Sequence, residues 1–243
     1  MSPLTSHGLL DAWEWGQGRG PTARALAILA VASPESGWEE LAALPLGERD
    51  RRLLALREEL LGPRIDGLAR CPACAEDLDV VFDARDLQAG AVAAPAESRL
   101  SMEGLTLRFR PTGSHDLLAV QGCSGIEEAR LRLAGRCLLE AWREDRALGV
   151  EDLADEELAV LADAMAEADP GAELLIELRC PACGHGWWEL LDVASFVWAE
   201  LEVQVRSLLR DVHVLARAYG WREADILSLS PRRRRIYLEM VEA

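Results

Sequence analysis

Lysine and asparagine are absent from this 243-residue sequence, and every one of its 26 basic Lys-or-Arg positions is arginine. With alanine, leucine, glycine and glutamate abundant, this is the codon bias of a GC-rich genome, so arginine-only usage assigns no function. No apolar run reaches the roughly 18 residues that a membrane span needs. The opening MSPLTSHGLLDAWEWG has no basic stretch followed by an apolar core, so the sequence predicts a cytoplasmic protein without a secretory signal. Positive charge is scarce as well. The formal net charge is −16, which disfavours a general nucleic-acid role, because phosphate binding calls for a basic face. Gly-x-Ser-x-Gly, His-Glu-x-x-His and the P-loop are all missing. The four histidines (7, 115, 185 and 213) are scattered, so the sequence predicts no catalytic residues, no small-molecule substrate and no enzyme.

What is present is half-hydrophobic and rich in charge, the composition of one large globular domain or two small ones. Six cysteines stand at 71, 74, 123, 137, 180 and 183. A reducing cytoplasm argues against disulfides, and two Cys-x-x-Cys pairs in an intracellular chain read as metal ligands. The pairs sit in a short internal repeat. RCPACAEDLDVVFDARDL (70–87) lies over RCPACGHGWWELLDVASF (179–196) without a gap, so that Cys71 falls on Cys180 and Cys74 on Cys183. Arg, Cys, Pro, Ala and Cys coincide, Asp83 falls on Asp192, and Leu78 falls on Trp187. Each copy reads as strand, knuckle, strand and then a helix start at the aspartate.

Zinc takes four ligands in a tetrahedron, and two such turns supply four thiolates. Cys71, Cys74, Cys180 and Cys183 are therefore the predicted ligands of one structural Zn²⁺. The spacing between the halves is far beyond the usual gap of about 15–20 residues, so the expected fold class is α+β, mostly α-helical: a split four-cysteine zinc ribbon with a helical insertion and a long C-terminal helix. A site that has lost its metal and a redox pair are the rivals. The redox reading wants one Cys-x-x-Cys at a helix N-terminus, and here a strand follows. Four thiolates leave no open position for catalysis. His185 is a rival ligand, although a histidine just after Cys-Gly is the common turn residue. Cys123 and Cys137 read as buried apolar thiols.

The chain divides into an N-terminal helical segment (1–62), a first knuckle hairpin (63–90), a mainly helical insertion (91–171), a second knuckle hairpin (172–192), and a long helix with two short ones (193–243). Ser6 can cap the first helix, and Pro21 opens the second. GQGRG fails as a phosphate loop, since no strand precedes it and no Gly-Lys-Ser/Thr follows. LTLRFR alternates as a strand. Ser114 or Asp116 can cap the next helix, and 125–142 reads as one amphipathic helix. Residues 151–177 carry ten acids and no base. A periodic apolar stripe predicts one long helix over about 193–219, stopped by Gly220. In PRRRRIYLEMVEA, Arg232 to Arg235 form a solvated face, with Ile236, Tyr237 and Met240 expected to pack inward. Those arginines can meet phosphate, the acidic 151–177 stretch or an acidic partner.

Four blocks in order carry a resemblance: LLDAWEWGQGRGPTARALAILA, the knuckle followed by VFDARDL, LRFRPTGSHDLLAV, and the long stretch from LRCPACGHGWWELL to SLSPRRRRIYLEMV. Together they resemble the T-even-phage-type base plate protein family, encoded in the tail gene clusters of contractile phages and phage-tail-like injection systems. The resemblance runs over nearly the whole chain and is most specific at 178–241. It implies a non-enzymatic baseplate component or hub assembly factor in the cytoplasm or the assembled particle. Its partners would be baseplate, hub or tube proteins, with no membrane. The competing reading is a zinc-ribbon nucleic-acid-binding regulator that uses AYGWREADILSLSPRRRR.

Overall fold

The computed structural model describes residues 4–88 and 93–242. The boundary placed between residues 90 and 91 lies outside the described residues. In chain order the helices and strands begin with α1 (Ser6–Gly16), α2 (Pro21–Ala32), α3 (Trp38–Ala43) and α4 (Leu46–Leu61). A hairpin of β1 (Arg64–Arg70) and β2 (Asp77–Asp83) leads into α5 (Ala84–Gln88). Then come β3 (Ser98–Met102), β4 (Leu105–Phe109), α6 (Ser114–Val120), α7 (Ile126–Cys137), β5 (Leu138–Arg143), β6 (Arg146–Ala147) and α8 (Asp155–Ala168). A second hairpin, β7 (Leu175–Arg179) and β8 (Gly186–Leu190), precedes α9 (Val193–Tyr219), α10 (Glu223–Leu227) and α11 (Pro231–Glu242). The chain forms two compact units, residues 1–35 with 194–243, and residues 36–193.

The first unit is helical. α2 buries Ala25, Leu26, Ile28 and Leu29 completely or nearly so, and α9 buries Val197, Trp198, Leu201, Val205, Leu208 and Leu215 at three- and four-residue spacings. Gly16 closes α1 against Trp198, and a Cβ there would collide with the indole ring. α9 ends where the sequence places its stop, with Gly220 left-handed at φ 69°. The N-cap of α1 is Thr5, whose hydroxyl accepts the Gly8 N–H at 3.1 Å. Ser6 does not cap, and its Oγ instead accepts from Arg234 at 3.2 Å. Arg234 also donates to Asp211 at 3.1 Å and is only 9% exposed. This overturns the inward packing expected of Ile236 and Met240, whereas Tyr237 is half-buried and packs edge-on against Tyr219 and Trp221, with ring centroids at 6.0 and 4.9 Å. Ile236 and Met240 are 43% and 61% exposed, because the buried line of the helix runs through the arginine.

Among its described residues the second unit holds three antiparallel sheets: β1-β2, β3-β4-β5-β6 and β7-β8. Leu105, Leu107 and Phe109 of β4 point into a core with Ala141, Leu153, Leu158 and Leu161, so α8 covers the four-stranded sheet. The insertion between the knuckles is thus not helical throughout. β3 and β4 join through Glu103-Gly104, both at positive φ, the two-residue turn that suits a twisted hairpin. The single helix expected over 125–142 ends at Cys137, and Leu138–Arg143 turns into β5. Its pairing with β4 satisfies backbone groups that would otherwise lie open on that edge, and this outweighs the helical periodicity. Helix α6 is capped at Gly113, not by Ser114 or Asp116; Asp116 sits one turn in and accepts the Gly113 N–H at 3.0 Å.

Candidate metal centre

Each knuckle is a hairpin whose ends pair in equivalent register. Arg70 faces Asp77 in the first, and Arg179 faces Gly186 in the second, the matching positions of the repeat. The turns repeat to the hydrogen bond. The Cys71 N–H donates to the Glu76 carbonyl and the Cys180 N–H to the His185 carbonyl, both at 2.9 Å. The N–H of Ala75 returns to Cys71, and that of Gly184 to Cys180, again at 2.9 Å. Ala75 and Gly184 are left-handed, at φ 60° and 76°. Asp83 accepts the Arg85 N–H at 2.8 Å and opens α5, as the repeat predicted.

The two turns face each other. The sulfurs of Cys71, Cys74, Cys180 and Cys183 all lie within 4.8 Å of one another. The close cross-pairs are Cys71 with Cys183 at 3.7 Å and Cys74 with Cys180 at 3.6 Å, a twofold exchange of inner and outer cysteine. These are not disulfides, whose sulfurs lie about 2.05 Å apart. Four thiolates at the distance of about 2.3 Å typical of zinc would lie about 3.8 Å from one another, so the spacing present suits a tetrahedral ion. Cys71 and Cys180 are buried, and Cys74 and Cys183 are exposed.

The electrostatics of the cluster are compatible with a bound cation. Burial works against ionising Cys71, but N–H groups of Cys74 and Ala73 and its sulfur neighbours outweigh it and hold the thiol at about 7. At Cys74 the Glu76 N–H favours the thiolate, yet Cys183, desolvation, Cys180 and Cys71 together push it up to about 12. The group does not gather several negative charges without a cation among them. The apolar contact beneath is small: Leu78, Val80 and Trp187 pack on Cys71 and Cys180. Two-stranded sheets are marginal in isolation, so these side chains alone are a thin joint for two hairpins.

The remaining sequence candidates fall elsewhere. His185 is exposed and stacks on Trp187 at 6.1 Å between ring centroids. Trp187 faces the cysteines, and Trp188 faces outward at 62% exposure. Cys137 is buried as expected, whereas Cys123 is only half-buried. Sequence reasoning missed a second polar centre. Asp116, fully buried, receives Arg110 at 2.7 Å and Arg136 at 2.8 Å, and His115 Nε2 lies at 3.2 Å. Burial would raise this carboxyl, but Arg110, the Gly113 N–H and Arg136 outweigh it and lower it to about 2. The run RPTGSHD already contains three of the four groups; what it does not display is Arg136, twenty residues on. A buried ion pair on α4, Arg49 with Asp50 at 2.7 Å, was also invisible in the helical pattern.

A family model described as T4 bacteriophage base plate protein matches residues 31–198, more than half of the chain and both knuckles. Two of the stretches quoted for the resemblance, residues 9–30 and those beyond residue 198, lie outside that match. No curated protein and no solved structure matches.

Proposed function

The chain belongs to the T4 bacteriophage base plate protein family, and from that premise we propose a non-enzymatic role as a baseplate component or hub assembly factor of a contractile tail or tail-like injection particle. Its partners on this reading are baseplate, hub or tube proteins, met in the cytoplasm or retained in the particle. The family match carries the proposal. Cys71, Cys74, Cys180 and Cys183 would hold one structural Zn²⁺. The donor set supports that metal: four thiolates, two of them buried, at separations suited to a tetrahedron. Filled by four sulfurs, the ion would have no site left for water or substrate, and its work would be to tie together two hairpins that lie far apart in the sequence. Such a tie suits a part that must keep its shape while neighbours assemble on it.

The nucleic-acid reading loses ground on one observation. Arg234, in the middle of the arginine run, is committed to Asp211 and Ser6. Among the described residues no helix is long and apolar enough to cross a membrane.

The test is fractionation of tail-like particles from the native cell on a density gradient, with mass spectrometry of particle and soluble fractions. A few copies per particle would identify a permanent component. Recovery only in soluble fractions, bound to hub or tube subunits, would identify an assembly factor. Recovery with neither overturns the proposal and brings the DNA-binding reading forward.

A further inference from the structure

Two surfaces that the metal centre does not use complement each other. The first is a groove of about 440 Å³ in the unit of residues 36–193, floored by Leu133, Leu158, Leu161 and Met165 between α7 and α8. Helix α7 buries only Cys137, so its inner face is underfilled. Ile126, 81% exposed, lies on the same face four residues before Arg130, and so lengthens the apolar floor. Leu175 lines the other end, 53% exposed; Leu190 lies opposite it in the register, 57% exposed, with Trp188 next on that face. Lone exposed hydrophobics need no explanation, but several of them at the two ends of an apolar cleft mark an interaction site. Arg130 lines the groove, half-buried, with no carboxylate partner among the described residues. Its rim is acidic. Glu173 lines it, and Glu127 and Asp155 stand exposed beside it on α7 and α8.

The second surface is the outer face of α11. Arg232, Ile236 and Met240 follow at four-residue spacing, one line on a helix. Arg233 flanks them on one side, and Arg235 and Glu239 on the other; all are exposed. Arg232 and Arg233 have no carboxylate partner among the described residues, and Glu239 is held only loosely by Arg235 at 3.5 Å. The pattern is the converse of the groove: two apolar anchors, arginines where the rim has carboxylates, and one carboxylate for Arg130.

We propose that α11 of one copy of this chain docks in the α7–α8 groove of a second copy, so that the protein self-associates head to tail. Ile236 and Met240 fill the apolar floor, Glu239 meets Arg130, and Arg232 and Arg233 meet Glu173, Asp155 and Glu127. The two patches differ, so the contact is heterologous, and repetition yields a ring if it closes and a filament if it does not. The inference needs neither the metal nor the tail particle, and its failure would leave the baseplate reading untouched.

The test is sedimentation velocity on the full chain over two decades of concentration. The wild type is expected to form species that grow with concentration. Ile236→Asp with Met240→Asp removes the anchors, and Ala162→Trp blocks the groove from an exposed position on α8. Each variant alone is expected to associate about thirtyfold more weakly or worse, the loss typical of a removed interface anchor. Mixed, the two variants are expected to form a dimer and nothing larger, because the mixture retains one intact groove and one intact helix. Arg130→Glu, a second groove-side variant, replaces Ala162→Trp should that chain melt early. A wild type that stays monomeric throughout, variants that associate like wild type, or a mixture that stays monomeric would each overturn the proposal.

Discussion

Ala75 and Gly184, matching positions of the internal repeat, hold the same left-handed conformation in the two knuckle turns, at φ 60° and 76°. A Cβ on Gly184 would meet nothing within 4 Å, so the difference between the sites is one of backbone conformation and not of space. Left-handed backbone costs an L-residue with a Cβ roughly 1–2 kcal/mol. Gly184→Ala should therefore lower stability by about 1 kcal/mol, and Ala75→Gly should raise it by a few tenths to about 1 kcal/mol, reduced by the extra freedom glycine gives the unfolded chain. Urea melts of both variants check this. A loss on Ala75→Gly would mean that the first turn needs its methyl for packing.

The cysteine cluster makes a prediction about composition. Protein purified without chelator should carry about one zinc per chain, and Cys180→Ser should lose it. Chelation should lower the melting temperature, since metal at a thousandfold its dissociation constant adds about 4 kcal/mol to the state that binds it. Elemental analysis paired with calorimetry reads both. Metal-free protein with an unchanged melt would remove the zinc.

Asp116 predicts an acid transition. Its carboxyl is lowered to about 2 in the folded protein, against about 3.9 in an unfolded chain. A depressed folded value contributes stability above the unfolded value and loses it as pH falls through the folded one. The contribution is about 2–3 kcal/mol at neutral pH, lost progressively between about pH 5 and pH 1. Asp116→Asn should cost more, about 3–5 kcal/mol, because it strands Arg110 and Arg136, and it should flatten the acid limb. Denaturant melts from pH 7 to pH 2 compare the two chains; an unaltered acid limb in Asp116→Asn contradicts the assignment.

Within one arginine run, neighbours should behave differently. Arg234 is buried against Asp211 and Ser6, whereas Arg232 is exposed. Arg234→Ala should destabilise by about 1–3 kcal/mol, and Arg232→Ala by less than about 0.5 kcal/mol, in thermal melts at low protein concentration. Equal effects would place Arg234 in solvent.

The knuckles were readable because their chemistry is written locally and then repeated. Two cysteines at fixed spacing, and an aspartate after the second strand, specify a turn whatever surrounds them. Helix α9 was readable for a similar reason, since one stripe of period 3.6 needs no knowledge of its partner. The misreadings share the opposite cause. Leu138–Arg143 follows a helical pattern, and only the open edge of β4 makes it a strand. Arg234 looks like its neighbours until Asp211 and Ser6 are seen beside it. The local sequence offers Asp116 as a cap, but its ion pairing depends on Arg136, which no local window contains.

The placing of the two cysteine pairs also orders events in time. At a ribosome's pace of about 5–20 residues per second, some 5–20 s pass between the emergence of Cys74 and that of Cys180. For all of that interval the nascent chain carries one cysteine pair without the other. The long insert between the pairs must be made, and has time to fold, before a four-sulfur site can exist. A transcript broken before codon 180 would yield no such site. The four sulfurs can thus come together only in a chain that has been made through both knuckles.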